Sequence, residues 1–410
     1  MKGIFLMTHD LASVMLAAAS YSAPAPWRVI SEWAFFIGLI GTIGVGLLNR
    51  AVVRPVLARA SVNPSDRMVL KNAAAVLLAA IGTWFLIALY FQLAATVARG
   101  SKGVSYGEAL SPGRIASYLG ATAGKGEWIS AGGEASIQFV LWAVAALLLI
   151  ALWVPPLRGR TDTLAWTAAG IAFVSWLVTA IPTNMGKATA ASVADSLFLH
   201  LHVLAISAWV GGVAGLALLS TARQRLTPTA GATWAQLWAR FSTVALVAVG
   251  CVLFSGAWLA WKHLGSPAEL FTTPYGRVLL IKLLLVAAII VTGAVNELVL
   301  MPRIARARAA GEEGSVFRLA LRVFPRVVGL EFVLALCVLL VVPFLAGSSR
   351  SEAGDDPDPV ATGTVIGIGV LWIVVLAVSF YATAKVSARL TAAGAQSGSA
   401  LGEAAKEPVG

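Results

Sequence analysis

Cysteine is nearly missing from this chain. Cys251 and Cys337 stand alone among 410 residues, far from any CxxC spacing, which excludes a zinc knuckle, a dithiol redox centre and a disulfide framework. Charge is scarce as well, at 12% of residues, and there are only four histidines. No Walker A motif and no phosphorylated-aspartate motif occurs, so any transport through this chain is passive, gradient-coupled or driven by a partner.

Hydrocarbon fills the space instead. Hydrophobic residues make up 59% of the chain and the mean hydropathy is +0.84, values that no ordinary soluble domain of this length reaches. Runs long enough to cross an apolar core of about 30 Å occupy 29–49, 70–97, 136–157, 163–182, 195–221, 238–262, 275–301, 322–346 and 362–386. Peptide groups have no water partners in lipid, so such runs must be helical, and the period-two alternation of a membrane barrel is absent. The expected fold is an all-α polytopic transmembrane bundle of about nine helices.

Lys and Arg orient it. Arg50, Arg54 and Arg59 follow the first run, Arg158 and Arg160 the third, Arg223 and Arg225 the fifth, Arg303 and Arg306 the seventh, and Lys385 and Arg389 the ninth. The basic side faces the cytoplasm of a bacterial inner membrane, with the N-terminus outside and the C-terminus inside. The formal charge of +11 therefore reflects membrane orientation, not nucleic-acid binding. The expected divisions are 1–28 as an outer N-terminal segment, 29–182 and 195–346 as two four-helix membrane halves, 347–361 as an acidic outer linker, 362–386 as an extra helix and 387–410 as a cytoplasmic tail. Residues 3–22 resemble a signal peptide weakly, but His9 and Asp10 interrupt the apolar run and Pro24 and Pro26 spoil the cleavage pattern. The segment is expected to be retained at the outer surface, an extra span being the alternative.

In this orientation His9, His200, His202 and His263 all lie toward the outer side, and imidazole is a common ligand for copper and haem. His202 is seven residues before Trp209, about 20° away around a helix, whereas His200 points about 160° away from it. One ion is therefore expected to take one of these two together with ligands from other segments. Gly211 and Gly212 permit close helix approach. In the seventh run Lys282 lies about 10 Å below Tyr275 on the same face, and a lysine at that depth needs a cavity, a partner or the interface. His263 is either a ligand or an interfacial residue beside Trp258 and Trp261. Met7 and His9 form a candidate outer capture pair, the alternative being an exposed terminus without function. Asn296, Glu331 and Arg326 are read first as structural pairing around a buried carboxylate, and second as a proton or ion pathway.

The segments HVLAISAWVGG (202–212), RFS (240–242), SGAW (255–258) and TPYGRVLLIK (273–282), with Asn296, Pro302, Arg326 and Glu331, resemble the CopD copper-resistance membrane family over about 195–345. The resemblance implies copper handling at the cytoplasmic membrane beside a periplasmic copper-binding partner of the CopC type. It also implies that His202 and Lys282 take the family's intramembrane His and Lys positions. Where many relatives carry a Gly-His-Ala turn this chain reads NMGKA, with Lys187 in place of the histidine and Met185 as a soft candidate ligand.

Three readings stay open. The first is copper transport, import favoured over export, through an outward-facing cavity lined by His202, His200, His263, Trp209, Tyr275 and Lys282, with Met185, Met7 and His9 as further ligands. The second rests on a resemblance to membrane-type protoporphyrinogen oxidases and makes His202 an axial ligand of haem b. The third is an accessory subunit of a larger membrane complex.

Overall fold

The computed structural model describes residues 23–184, 190–311, 319, 324–345 and 347–353. Its regular elements are all helical, with no strand among the described residues. Among the described residues eight helices are long and apolar enough to cross a membrane: α1 (Pro26–Leu57), α2 (Pro64–Gly100), α3 (Ala131–Trp153), α4 (Pro155–Ala180), α5 (Ser192–Arg225), α6 (Ala230–His263), α7 (Pro274–Ile304) and α8 (Arg326–Phe344). The chain is an all-α polytopic helical bundle. The run at 362–386, the candidate extra span at 3–22 and the C-terminal tail lie outside the described residues.

Several helices outrun the apolar segments that announce them. α1 continues to Leu57 and α6 begins at Ala230, because polar turns beyond the hydrocarbon stay helical where a cap or neighbour satisfies them. At the start of α2 the Asn63 side chain accepts from Ser65 N–H at 3.0 Å, with Pro64 at the first helical position. Prolines also set limits, since Pro155 and Pro156 divide α3 from α4 by removing amide donors.

α1 is the organising helix. It packs against α2, α4, α5 and α8, and 67% of its apolar window is buried, against 11% for α7. Two apolar clusters meet on it. Phe35, Leu39 and Ile43 join Phe85, Trp142, Leu149 and Ala168 of α2–α4, while Leu48 and Val52 join Trp209, Leu216, Trp234, Trp238 and Phe241 of α5 and α6.

The α1–α5 crossing depends on missing side chains. A Cβ on Gly44 would stand 2.0 Å from Ser207 O, and one on Gly211 would stand 2.6 Å from Ile40 O. The two backbones are therefore in contact, as small residues allow in membrane packing. Gly212 does the same toward α6, where the Phe241 ring occupies the space a side chain would take. This stretch of α5, Ser207–Gly211, is a π-helical turn.

Polar ties hold the bundle at both ends. At one, Asn49 Nδ2 donates to Asp162 at 2.7 Å, Arg54 pairs with the same carboxylate at 3.1 Å, and Arg59 donates to Gln236 at 2.7 Å. At the other, Glu32 is held by Arg28 and Arg99, and Trp27 stacks on Tyr106 at 4.6 Å. α6 leans on α5 and α7 on α8.

Candidate functional site

His202 sits in a recess that α6 prepares for it. Its Nδ1 is 2.9 Å from Ser255 Oγ, and a Cβ at Gly256 would come within 3.3 Å of the ring, so the SGAW sequence supplies a hydroxyl partner and a vacancy side by side. The Ser255 hydroxyl has one proton, and it donates that proton to Cys251 O at 2.5 Å, the usual bond to the carbonyl four residues back. Ser255 Oγ is then an acceptor toward His202, which must donate from Nδ1–H. The neutral ring then carries its lone pair on Nε2, the form in which imidazole binds a metal. The Lys282 ammonium of α7 lies within electrostatic reach of this ring. Among the described residues no carboxylate pairs with Lys282.

His200 faces elsewhere. It is 4% exposed, its Nε2 lies 3.0 Å from Trp176 O and 3.2 Å from Thr179 Oγ1, and Nδ1 is held against Ser196. The ring also packs 6.0 Å from that of Trp176. His200 thus fills the α4–α5 contact, while His202 addresses α6.

Tyr275 and His263 form a second level nearer the start of α7. Their ring centroids are 5.6 Å apart. Ser255 precedes His263 by about 12 Å along α6, and Lys282 comes after Tyr275 by about 10 Å along α7, so the two levels are separated by similar depths on both helices. The TPYG sequence explains how α7 begins here. Thr273 accepts from Gly276 N–H at 3.0 Å, Pro274 takes the first helical position, and Gly276 admits the Glu269 carbonyl where a Cβ would collide at 1.9 Å. The short helix Ser349–Ala353 closes over this level, with Tyr275 N–H donating to Glu352 at 2.9 Å and Arg350 to Leu264 O at 3.0 Å.

Trp209 is 7% exposed and packs in the apolar cluster with Trp234, Trp238 and Phe241. The seven-residue alignment with His202 assumes an undistorted helix. The π turn at Ser207–Gly211 widens the helix by one residue and rotates the side chains beyond it. At the far end of α7, Asn296 Nδ2 donates to Glu331 at 2.8 Å; Arg326 is exposed and forms no ion pair with Glu331 among the described residues. Met7, His9 and Met185 lie outside the described residues.

Ser255, Gly256 and Asp195 are the neighbours that sequence reasoning passed over. Asp195 accepts from Trp258 Nε1 at 3.1 Å and pairs with Lys262, joining α5 to α6 above His202. The available signal was a lone acid and a lone lysine in adjacent apolar runs. Among the described residues no three His, Cys, Asp or Glu side chains converge in a metal-binding group, so the arrangement offers a single imidazole donor near the Lys282 amino group, with two rings above it.

Residues 235–345 match the family model described as copper resistance protein D, CopD. Over 223 residues the chain is 34% identical to the copper transport protein CutJ of Bacillus subtilis (strain 168), a stretch covering 54% of this chain and 38% of that relative. The chain thus spans well under half the length of that relative. No solved structure matches. The CopD match begins within α6 and takes in Ser255, Gly256, Lys282 and Glu331, so the recess that receives His202 is part of it.

Proposed function

We propose that this chain transports copper across the bacterial cytoplasmic membrane, inward in preference to outward, along the interior between α5, α6 and α7. The observation that carries this reading is the His202–Ser255 contact, which directs one imidazole lone pair into a CopD domain. His263 and Tyr275 receive the ion at the outer level, and His202 takes it below. Met185 adds a soft thioether from the connection between α4 and α5. Lys282, when protonated, keeps the stay brief, since a cation bound next to an ammonium is held weakly enough to leave, as conduction requires. A periplasmic carrier of the CopC type delivers the ion to the outer level.

Uptake of copper into proteoliposomes, together with metal analysis of the purified chain, tests this. Wild type should take up copper and His202→Ala should not, with both reconstituted to the same extent. Equal uptake by the two would defeat the reading. A Soret band in the purified protein would transfer His202 to haem ligation instead.

A further inference from the structure

The second buried polar feature of the CopD domain lies at the far end of the same helix. Tyr275, Lys282, Ile289 and Asn296 recur every seven residues on α7 and so lie along one seam. Lys282 and Asn296 are about 21 Å apart along the axis. Glu331 of α8 meets the seam at Asn296. It is 5% exposed, and its partner is Asn296 Nδ2 at 2.8 Å. Gly293, one turn earlier, leaves room for the carboxyl, whose Oε1 would be 3.9 Å from a Cβ there.

The other half of the amide is unsatisfied. Asn296 Oδ1 is buried without any hydrogen-bond partner among the described residues, a costly condition inside a membrane bundle. An ionised Glu331 makes matters worse, because a carboxylate has only acceptors to offer. Among the described residues the elements packed on α8 bring no cation to it: Lys282 is about four turns away on α7, Arg303 on α7, Arg223 and Arg225 on α5, Arg50 on α1 and Arg326 on α8 itself are exposed, and Glu32 of α1 is engaged with Arg28 and Arg99. No described residue forms an ion pair with Glu331. One proton on the second carboxyl oxygen resolves both deficits, since the acid O–H then donates to Asn296 Oδ1 while the amide N–H donates to Oε1.

We infer that Glu331 and Asn296 form a proton-binding site between α7 and α8, occupied at neutral pH as a paired carboxylic acid and amide. The ligand is a proton, and the site exchanges it with water at the Arg326 end of the bundle. A cation travelling along the α7 seam meets, at its far end, a group that becomes an anion by releasing one proton. The site itself stands whether or not copper is the cargo, so its test uses no copper.

Infrared spectra of the full chain in lipid at neutral pH should contain a carboxylic-acid carbonyl band that is missing from Glu331→Gln and displaced in Asn296→Ala. The band should fade as the pH is raised in wild type. Glutamine reproduces the protonated acid, an N–H replacing the O–H, so Glu331→Gln should melt at or above the wild-type temperature. Its stability should also lose the decline that wild type shows at high pH. Identical carbonyl regions for wild type and Glu331→Gln at neutral pH would mean that Glu331 is ionised and would overturn the proposal. So would a Glu331→Gln variant that fails to assemble or melts below wild type.

Discussion

His202 donates from Nδ1 to Ser255 Oγ across 2.9 Å, and Ser255 can accept because its own proton is committed to Cys251 O. One hydroxyl on α6 therefore sets the tautomer of an imidazole on α5. Removing it frees the ring to rotate and to place its proton on either nitrogen. Partners that orient a ligating imidazole typically contribute a factor of about 10–100 in metal affinity. Ser255→Ala should lower copper uptake by a factor in that range while leaving assembly intact. Wild-type uptake would show that the contact does not orient a ligand.

The α1–α5 crossing makes a stability prediction. Gly44→Ala forces a methyl group into the backbone of Ser207 and Gly211, where neither helix can yield without moving the other. The cost should be about 1–3 kcal/mol, seen as a lower thermal midpoint in detergent. Gly170 of α4 has nothing within 4 Å of its would-be Cβ, so Gly170→Ala should be neutral or stabilising by up to about 1 kcal/mol. Equal effects at both positions would sink the close-contact argument.

Topology supplies an independent check. The last turns of α1, α5 and α7, the start of α4 and Arg59 in the α1–α2 connection carry the arginines, a side that the positive-inside rule assigns to the cytoplasm. A reporter fused after Arg308 should read as cytoplasmic, and one near Asp356 as periplasmic. If both report the same side, His263 and Tyr275 lose their place at the outer level.

Hydropathy alone disclosed the bundle, because nothing except a helix can satisfy its own backbone over twenty apolar residues in lipid. The helix ends were less legible, since arginine-bearing turns such as Asn49–Leu57 of α1 are held by tertiary partners such as Asp162. Within the candidate site, angular reasoning separates His200 from His202 on an ideal helix, and the two rings do face different neighbours. The same reasoning aligned His202 with Trp209, where the π turn at Ser207–Gly211 intervenes. Ser255 and Gly256 were visible as letters in SGAW, but one sequence cannot say which helix lies opposite them.

Outside the spans, the short helix Tyr106–Ala109 begins with a capping box in which Ser105 and Glu108 bond reciprocally. Hydrogen bonds from the Ser105 backbone and then its side chain hold the Glu108 carboxyl below its usual range. A depressed folded-state value means that the carboxylate supports the helix above the ordinary carboxylate range, and that support is lost as pH falls through the folded value. Amide exchange at Tyr106–Ala109, corrected for intrinsic rates, should accelerate on acidification in wild type and change less in Glu108→Gln. The same pH response in both would remove Glu108 from the cap.

The two neighbouring histidines of α5 should separate stability from copper. His200 is buried between Trp176, Thr179 and Ser196, so His200→Ala leaves a cavity and unpaired polar atoms in the α4–α5 contact. Leaving a buried polar group unsatisfied costs about 1–3 kcal/mol. The variant should melt at lower temperature, yet the molecules that remain folded should take up copper as wild type does. His202 is only half-buried, with Gly256 against its ring, so His202→Ala should change the melting temperature less and abolish uptake. Reconstituted protein quantified for its folded fraction, assayed for uptake and thermal midpoint together, distinguishes the two. Loss of uptake per folded molecule in His200→Ala, with His202→Ala unaffected, would reverse the assignment of the ligating imidazole.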